Sequence, residues 1–254
     1  MWNEVLARVG DRRRRHPILY LAGPADIDRD IAMQKGVLGQ NLIAIDKYPA
    51  NVEAIRRRGY PSIRGRIEDV LRAWPDDWPV SAVLLDYCSG LEPTVLVALE
   101  AMLFRRPFSG TEVVINLQRG RDASTNSHRA RVGQVLLSRD KNPKHRGLIV
   151  AYSLMEMLCN LRLANGDLPD ASTALRRVEC LYRSLNWRTF EYRSETRQTY
   201  DSLVLTVPPE ITATSAWSCV GPVKLRNEIR ALRAVRTRRL NETPSMFALS
   251  QASR

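Results

Sequence analysis

The chain has 254 residues, 44% of them hydrophobic and 26% charged, which is the composition of a globular protein with a buried core and excludes a low-complexity or disordered polymer. Its 39 lysines and arginines against 27 acidic residues give a formal charge of +12, which favours a polyanionic partner, nucleic acid first, or else a solvated basic face without one. Four scattered cysteines, Cys88, Cys159, Cys180 and Cys219, with three histidines predict reduced thiols and no metal, and without an apolar run of about 18 residues or a signal sequence the expectation is a soluble, cytoplasmic protein with no membrane contact.

Met1 to Val9 reads as a short amphipathic helix with Trp2, Val5, Leu6 and Val9 on one side, packed on the domain. Arg12 to Arg15 is a block of like charge, the mark of a solvated linker or of a phosphate contact. Ile18 to Ala22 makes a first strand, followed by Gly23 and Pro24 and by Asp26, Asp28 and Asp30 in the opening of a helix, where acidic residues suit the positive end of the dipole. Leu42 to Ile45 makes a second strand closing on Asp46, and Asn51 to Arg58 a second helix stopped by Gly59. Pro61 to Ile63 is a short third strand, and Ile67 to Trp74 a helical segment bounded by Pro75.

The stretch WPVSAVLLDYCSGLEPT carries the fourth strand. Ala82 to Leu85 is apolar without helical period and stops at Asp86, ahead of the turn-prone Cys88, Ser89 and Gly90. A carboxylate at the end of a parallel strand is placed for ligand chemistry; a helix cap before Pro93 is the structural alternative. Thr94 to Phe104 follows as a helix and Thr111 to Leu117 as strand five. Arg119, Arg121, Arg129 and Arg131, interleaved with polar residues, then form either a substrate-phosphate contact or a solvated loop.

Helices are expected near Val132 to Leu137, over Leu148 to Leu163 and over Ala171 to Leu185, with Met155 and Met157 as core packing. Trp187 to Arg193 and Ser202 to Val207 read as an antiparallel hairpin. From Val223 to Leu240 comes a basic amphipathic helix with Leu225, Ile229 and Leu232 inward and Arg226, Arg230, Arg233, Arg236, Arg238 and Arg239 outward, either a capping helix or a nucleic-acid arm. Strands alternating with helices predict a Rossmann-like three-layer α/β/α sandwich with a mostly parallel seven-stranded sheet and a C-terminal antiparallel hairpin. The parts are an N-terminal helix and basic segment (1–16), the main domain (17–208) and a basic C-terminal helix and tail (209–254).

Five strand and helix units followed by a hairpin, with Gly23 after strand one, Asp46 ending strand two and DYCSG after strand four, resemble the class I S-adenosylmethionine-dependent methyltransferases. The stretch NLIAIDKYPANVEAIRRRG is the most family-like. The resemblance implies S-adenosylmethionine as cofactor, held by Leu21, Ala22, Gly23, Pro24, Asp26, Asp46, Lys47, Arg66, Ile67 and Asp86. Asp46 would take the ribose hydroxyls, and Asp26 or Asp28 would replace the acidic residue that Leu21 displaces from the glycine motif.

The DYCSG segment is similar to a shortened Asp-Ala-Pro-Cys-Ser-Gly motif of RNA cytosine-5 methyltransferases, in which Cys88 would be the attacking thiolate; in a route without covalency Asp86 would accept a proton or hydrogen bond from the acceptor and Tyr87 would stack on a base, while Arg119, Arg121 and Arg129, expected over the same sheet edge, would contact the substrate. Cys88 is either a nucleophile or an inert thiol. Tyr87 either stacks on a base or packs in the core. The implied activity is methylation of RNA or DNA. The rivals are a catalytically inactive binding module of the same fold and, from the ILYLAGP opening, a nucleoside deoxyribosyltransferase-like enzyme for which Glu92 would be the catalytic acid. A partner subunit and the oligomeric state stay open.

Overall fold

Short apolar runs of β-branched residues set the strands, and in a computed structural model, which describes residues 2–87, 93–103, 105–118, 188–193, 198–209 and 222–242, they assemble into one sheet. In chain order the elements are α1 (Trp2–Val9), α2 (Arg12–Arg15), β1 (Ile18–Leu21), α3 (Ile27–Gln34), β2 (Leu42–Asp46), α4 (Pro49–Arg57), β3 (Ser62–Arg64) and α5 (Ile67–Ala73). These are followed by β4 (Ala82–Tyr87), α6 (Pro93–Leu103), β5 (Glu112–Gln118), β6 (Arg188–Arg193), β7 (Thr199–Thr206) and a last helix, here α7 (Val223–Glu242). The strand order is β3-β2-β1-β4-β5-β7-β6, with β1 to β5 parallel and β7 antiparallel to both β5 and β6. This is the expected seven-stranded, mostly parallel sheet.

Because side chains alternate across a strand, each strand feeds two apolar layers. Leu19, Ile45, Val83, Leu85, Ile115 and Leu203 pack with α5, α6 and α7 on one face. Tyr20, Ala44, Leu84, Val114 and Val204 pack with α1 and α3 on the other. Burying such a side chain contributes roughly 1.5–3 kcal/mol.

Element ends shift by a few residues for local reasons. Helix α4 starts at Pro49 rather than Asn51, because a proline's missing N–H costs nothing in a first turn. Strand β7 begins at Thr199 rather than Ser202, because pairing with β5 and β6 recruits polar residues before it. The helices expected between 132 and 185 lie outside the described residues.

Two expectations about arginine are corrected. The Arg12–Arg15 block is a packed helical turn, not a solvated linker. Arg12 Nη1 donates to the Gly110 carbonyl at 2.5 Å, Asn41 Nδ2 donates to the Arg13 and Arg14 carbonyls, and Ser81 Oγ donates to those of Arg12 and His16. Carbonyls ending a helical turn need donors, and these supply them. Arg236, expected outward on α7, is buried: its Nη2 donates to the Arg15 carbonyl at 2.8 Å and to Asn41 Oδ1 at 2.9 Å. Burial, reinforced by the charge of Arg233, pushes its pKa down to about 10, which leaves it charged at neutral pH.

Candidate functional site

The chain leaves β1 toward β2 on one side and later returns to β4 on the other, so the order of strands reverses between β1 and β4, the place where open α/β sheets bind ligands. The hydrogen-bond ladders show the sheet opening there. Pairing of β1 with β4 stops at Tyr20 and Leu84. Pairing of β1 with β2 continues to Leu21 and Ile45, with the Ala22 N–H donating to the Ile45 carbonyl, and β4 stays paired to β5 as far as Tyr87 and Leu117. Asp46 lies beside Arg64, and Asp86 beside Asn116, which in turn lies beside Ser202. Asp46 and Asp86 thus stand on either side of the end of β1.

Asp86 is half-buried and is held from one side. Ser202 Oγ donates to Asn116 Oδ1 at 2.6 Å, which turns the Asn116 amide N–H toward the Asp86 carboxylate. Asp86 Oδ1 is buried with no hydrogen-bond partner among the described residues. Burial, then the negative charge of Asp28, raises the Asp86 pKa, against a smaller opposing effect of the Asn116 hydrogen bond. Asp28 sits in the first turn of α3 and accepts a hydrogen bond from Trp2 Nε1 at 2.8 Å. Its own pKa is also raised by burial, with Asp26 adding to the shift.

The turn after β1 is short. The Asp26 N–H donates to the Gly23 carbonyl at 3.1 Å, closing a β-turn with Pro24 in the position its fixed φ favours. Asp26 follows in the left-handed region at φ 51°, a conformation aspartate tolerates better than most side chains. A Cβ at Gly23 would meet nothing within 4 Å, so the chain around it does not demand a glycine and the space beside it is open.

The other expected contact residues have surroundings of their own. Asp26 is turned inward and 2% exposed: it accepts from Tyr20 Oη at 2.5 Å and from Arg29 Nε at 2.8 Å, so both oxygens are engaged inside the domain. Arg29, fully buried, also donates to the Gly39 and Pro61 carbonyls and faces the Tyr60 ring. Ile67 is a core residue, so its side chain offers nothing to a ligand. Arg66 points to solvent, 3.9 Å from Glu68. Lys47 lies over the Tyr48 ring. Tyr87 packs on the core of the face opposite to Asp86, the packing alternative. Leu21 also packs there, and Ala22 on the other face.

Asp46 is nearly buried and braces its own loop, accepting from the Tyr48 N–H at 2.8 Å and from Asn51 Nδ2 at 2.6 Å. Each oxygen keeps a second lone pair. Cys88, Glu92, Arg119, Arg121 and Arg129 lie outside the described residues. The structure therefore brings Ala22, Gly23, Asp28, Asp46 and Asp86 to one rim and adds Asn116 and Ser202. A serine and an asparagine at the same level of neighbouring strands were the only sequence signal for the last two.

No protein-family model matches the chain, and no curated protein matches it significantly. Solved structures of similar fold include a SAM-dependent methyltransferase from Archaeoglobus fulgidus, with 13% identity, 81% of this chain and 94% of that one covered, and a TM-score of 0.41. Another is a mutant 16S rRNA (adenine(1408)-N(1))-methyltransferase from Catenulisporales acidiphilia, with 11% identity, 82% and 90% covered, and a TM-score of 0.40. A third, described as a pericyclic reaction enzyme, has 11% identity, 81% and 46% covered, and a TM-score of 0.41. At such identities the likeness says nothing of activity, and a fold hosts many chemistries. The fold of this chain rests on its own strand order and agrees with the expected architecture.

Proposed function

We propose that this protein binds S-adenosylmethionine where β1 and β4 part and transfers its methyl group to nucleic acid. The reading is carried by Asp86 Oδ1, a buried carboxylate oxygen without a partner among the described residues, at the point where the sheet opens. An unsatisfied buried acceptor is costly, and a buried carboxylate whose proton affinity is raised further by the charge of Asp28 favours a cationic ligand. The cofactor carries both an ammonium and a sulfonium. Asp28 would hold the ammonium, the open flank of Gly23 would leave room for the amino-acid chain, and the remaining lone pairs of Asp46 would accept the ribose hydroxyls.

The bound cofactor supplies a methyl group already activated on sulfur, so the protein's own part is placement and proton handling. Asp86, fixed by Asn116 and with raised proton affinity, accepts the proton that the methyl acceptor loses. Arg119, Arg121 and Arg129 directly follow β5 in the sequence, and with the formal charge of +12 they support nucleic acid as acceptor.

A binding module without catalysis is the second reading, favoured by the tight Pro24 turn that stands in for a glycine-rich loop. Calorimetric titration of S-adenosylmethionine decides between them. We expect saturable binding that Asp28→Asn weakens about 10-fold or more, as loss of a charged hydrogen bond does. No binding to the native protein removes the enzyme reading. Tritiated-methyl transfer to pools of RNA, DNA and protein then identifies the acceptor.

A further inference from the structure

Helix α7 lies along the outer edge of the sheet. Its first turn packs on the β3–α5 loop, with Leu225 3.6 Å from where a Cβ on Gly65 would stand, and eleven residues on Arg236 reaches Asn41 before β2. The helix therefore runs antiparallel to β3, from the carboxyl rim to the amino rim. Leu225 and Ile229 are buried in this contact, while Val223 and Val235 stay exposed. Glu228 pairs with Arg56 and covers the exposed edge of β3 by accepting from the Arg64 N–H.

The charged side chains left outward near the carboxyl rim are basic. Arg64, Lys224, Arg226 and Arg230 have no hydrogen bond or ion pair from their side chains among the described residues, although Asp77, which pairs with Arg233, feels the charge of Arg230 as well. One strand over, at the end of β2, Tyr48 is 57% exposed. Cations spaced along a helix with an aromatic ring at hand are the elements of a single-strand nucleic-acid platform, guanidinium forks for phosphates and a ring for a base. An anionic membrane surface fits less well, because a helix lying on lipid offers it a continuous apolar face, whereas on α7 Leu225 and Ile229 are turned inward and the exposed Val223 and Val235 stand twelve residues apart.

We propose that Arg64 and the carboxyl-rim half of α7 form the docking surface for the phosphate backbone of single-stranded nucleic acid, guiding it to the crevice between β1 and β4; the guiding role rests on the methyl-transfer reading. The test is fluorescence anisotropy of a labelled mixed-sequence RNA oligonucleotide against the full chain at several salt concentrations. Lys224→Gln/Arg226→Gln is compared with the charge-matched Arg15→Gln/Lys35→Gln at the amino rim. The first pair should weaken binding about 10- to 30-fold near 0.1 M salt and reduce the slope of log K against log salt by about 1.4, while the control keeps most of both.

Equal losses in the two double variants would overturn the proposal, as would binding of anionic lipid vesicles but not RNA. S-adenosylmethionine titrated into the same variants separates the two readings. RNA binding that depends on α7 without any cofactor binding leaves the docking surface standing and ends the enzyme reading. Cofactor binding with no affinity for RNA does the reverse.

Discussion

At the amino rim of the sheet Arg236, Arg12, Asn41 and Ser81 reach across elements to backbone carbonyls and lock the strand starts to α2 and α7. At the carboxyl rim the β1–β4 ladder stops early, Asp28 and Asp86 repel one another, and a buried oxygen is left over. One end of the sheet is thus closed by charged and neutral donors on backbone carbonyls, although Arg13 Nε there is buried without a partner among the described residues, and the other is held open around acidic groups. Local rules are obeyed where stability is the task and relaxed where a ligand must enter. The contrast also qualifies the net charge: Arg29, Arg105 and Arg236 are nearly or fully buried, so part of the basic excess is structural and not displayed to partners.

The sharpest way to break this contrast is to remove Asp86. Asp86→Ala should lower methyl transfer by about 10²–10⁴-fold, the usual worth of a positioned proton acceptor, while folding is little changed. Transfer equal to the native protein, read by tritium incorporation, would take Asp86 out of the mechanism. At the other rim Arg236→Ala should do the opposite. It strands Asn41 Oδ1 and the Arg15 carbonyl in a buried place and should cost about 2–4 kcal/mol in urea unfolding, while cofactor affinity of the folded fraction stays within about twofold. A loss below about 0.5 kcal/mol would mean that the amino rim is not stapled as described.

The sequence exposes these two ends unequally. Apolar runs that stop at Asp46 and Asp86 mark strand ends, so the rim carrying both carboxylates can be read directly from periodicity. The partners of those groups cannot. Ser202 lies 86 residues from Asn116 and meets it only through the antiparallel register of β7 on β5, and Arg236 lies 195 residues from Asn41. A basic side chain on a basic helix reads as solvated, and only tertiary contact turned Arg236 inward. The inward turn of Asp26 is hidden from the sequence for the same reason, since its acidic charge suits a helix start while its partners, Tyr20 and Arg29, come together only when the turn closes.

Acid provides the finest comparison, because it should act on the two rims with opposite sign. The folded pKa of Asp86 is raised, so above it the folded state holds a buried charge that the unfolded chain carries in water, and stability is lost as pH rises through that value. Asp86→Asn cannot ionise and should raise the melting temperature at pH 7 by roughly 2–4 °C, what about 1 kcal/mol is worth in a chain of this size, with the advantage fading toward pH 4. His16 is shifted downward by burial and by Arg236, Arg12 and Arg15, so the unfolded state takes up the proton first and stability falls as pH drops below about 6.5. His16→Gln should therefore lose less stability than the native protein between pH 7 and 5, a smaller effect because the ring is partly in water. If the difference in melting temperature from native changed with pH in the same direction for both variants, the two rims would not differ electrostatically, and the acidic crevice would lose its physical basis.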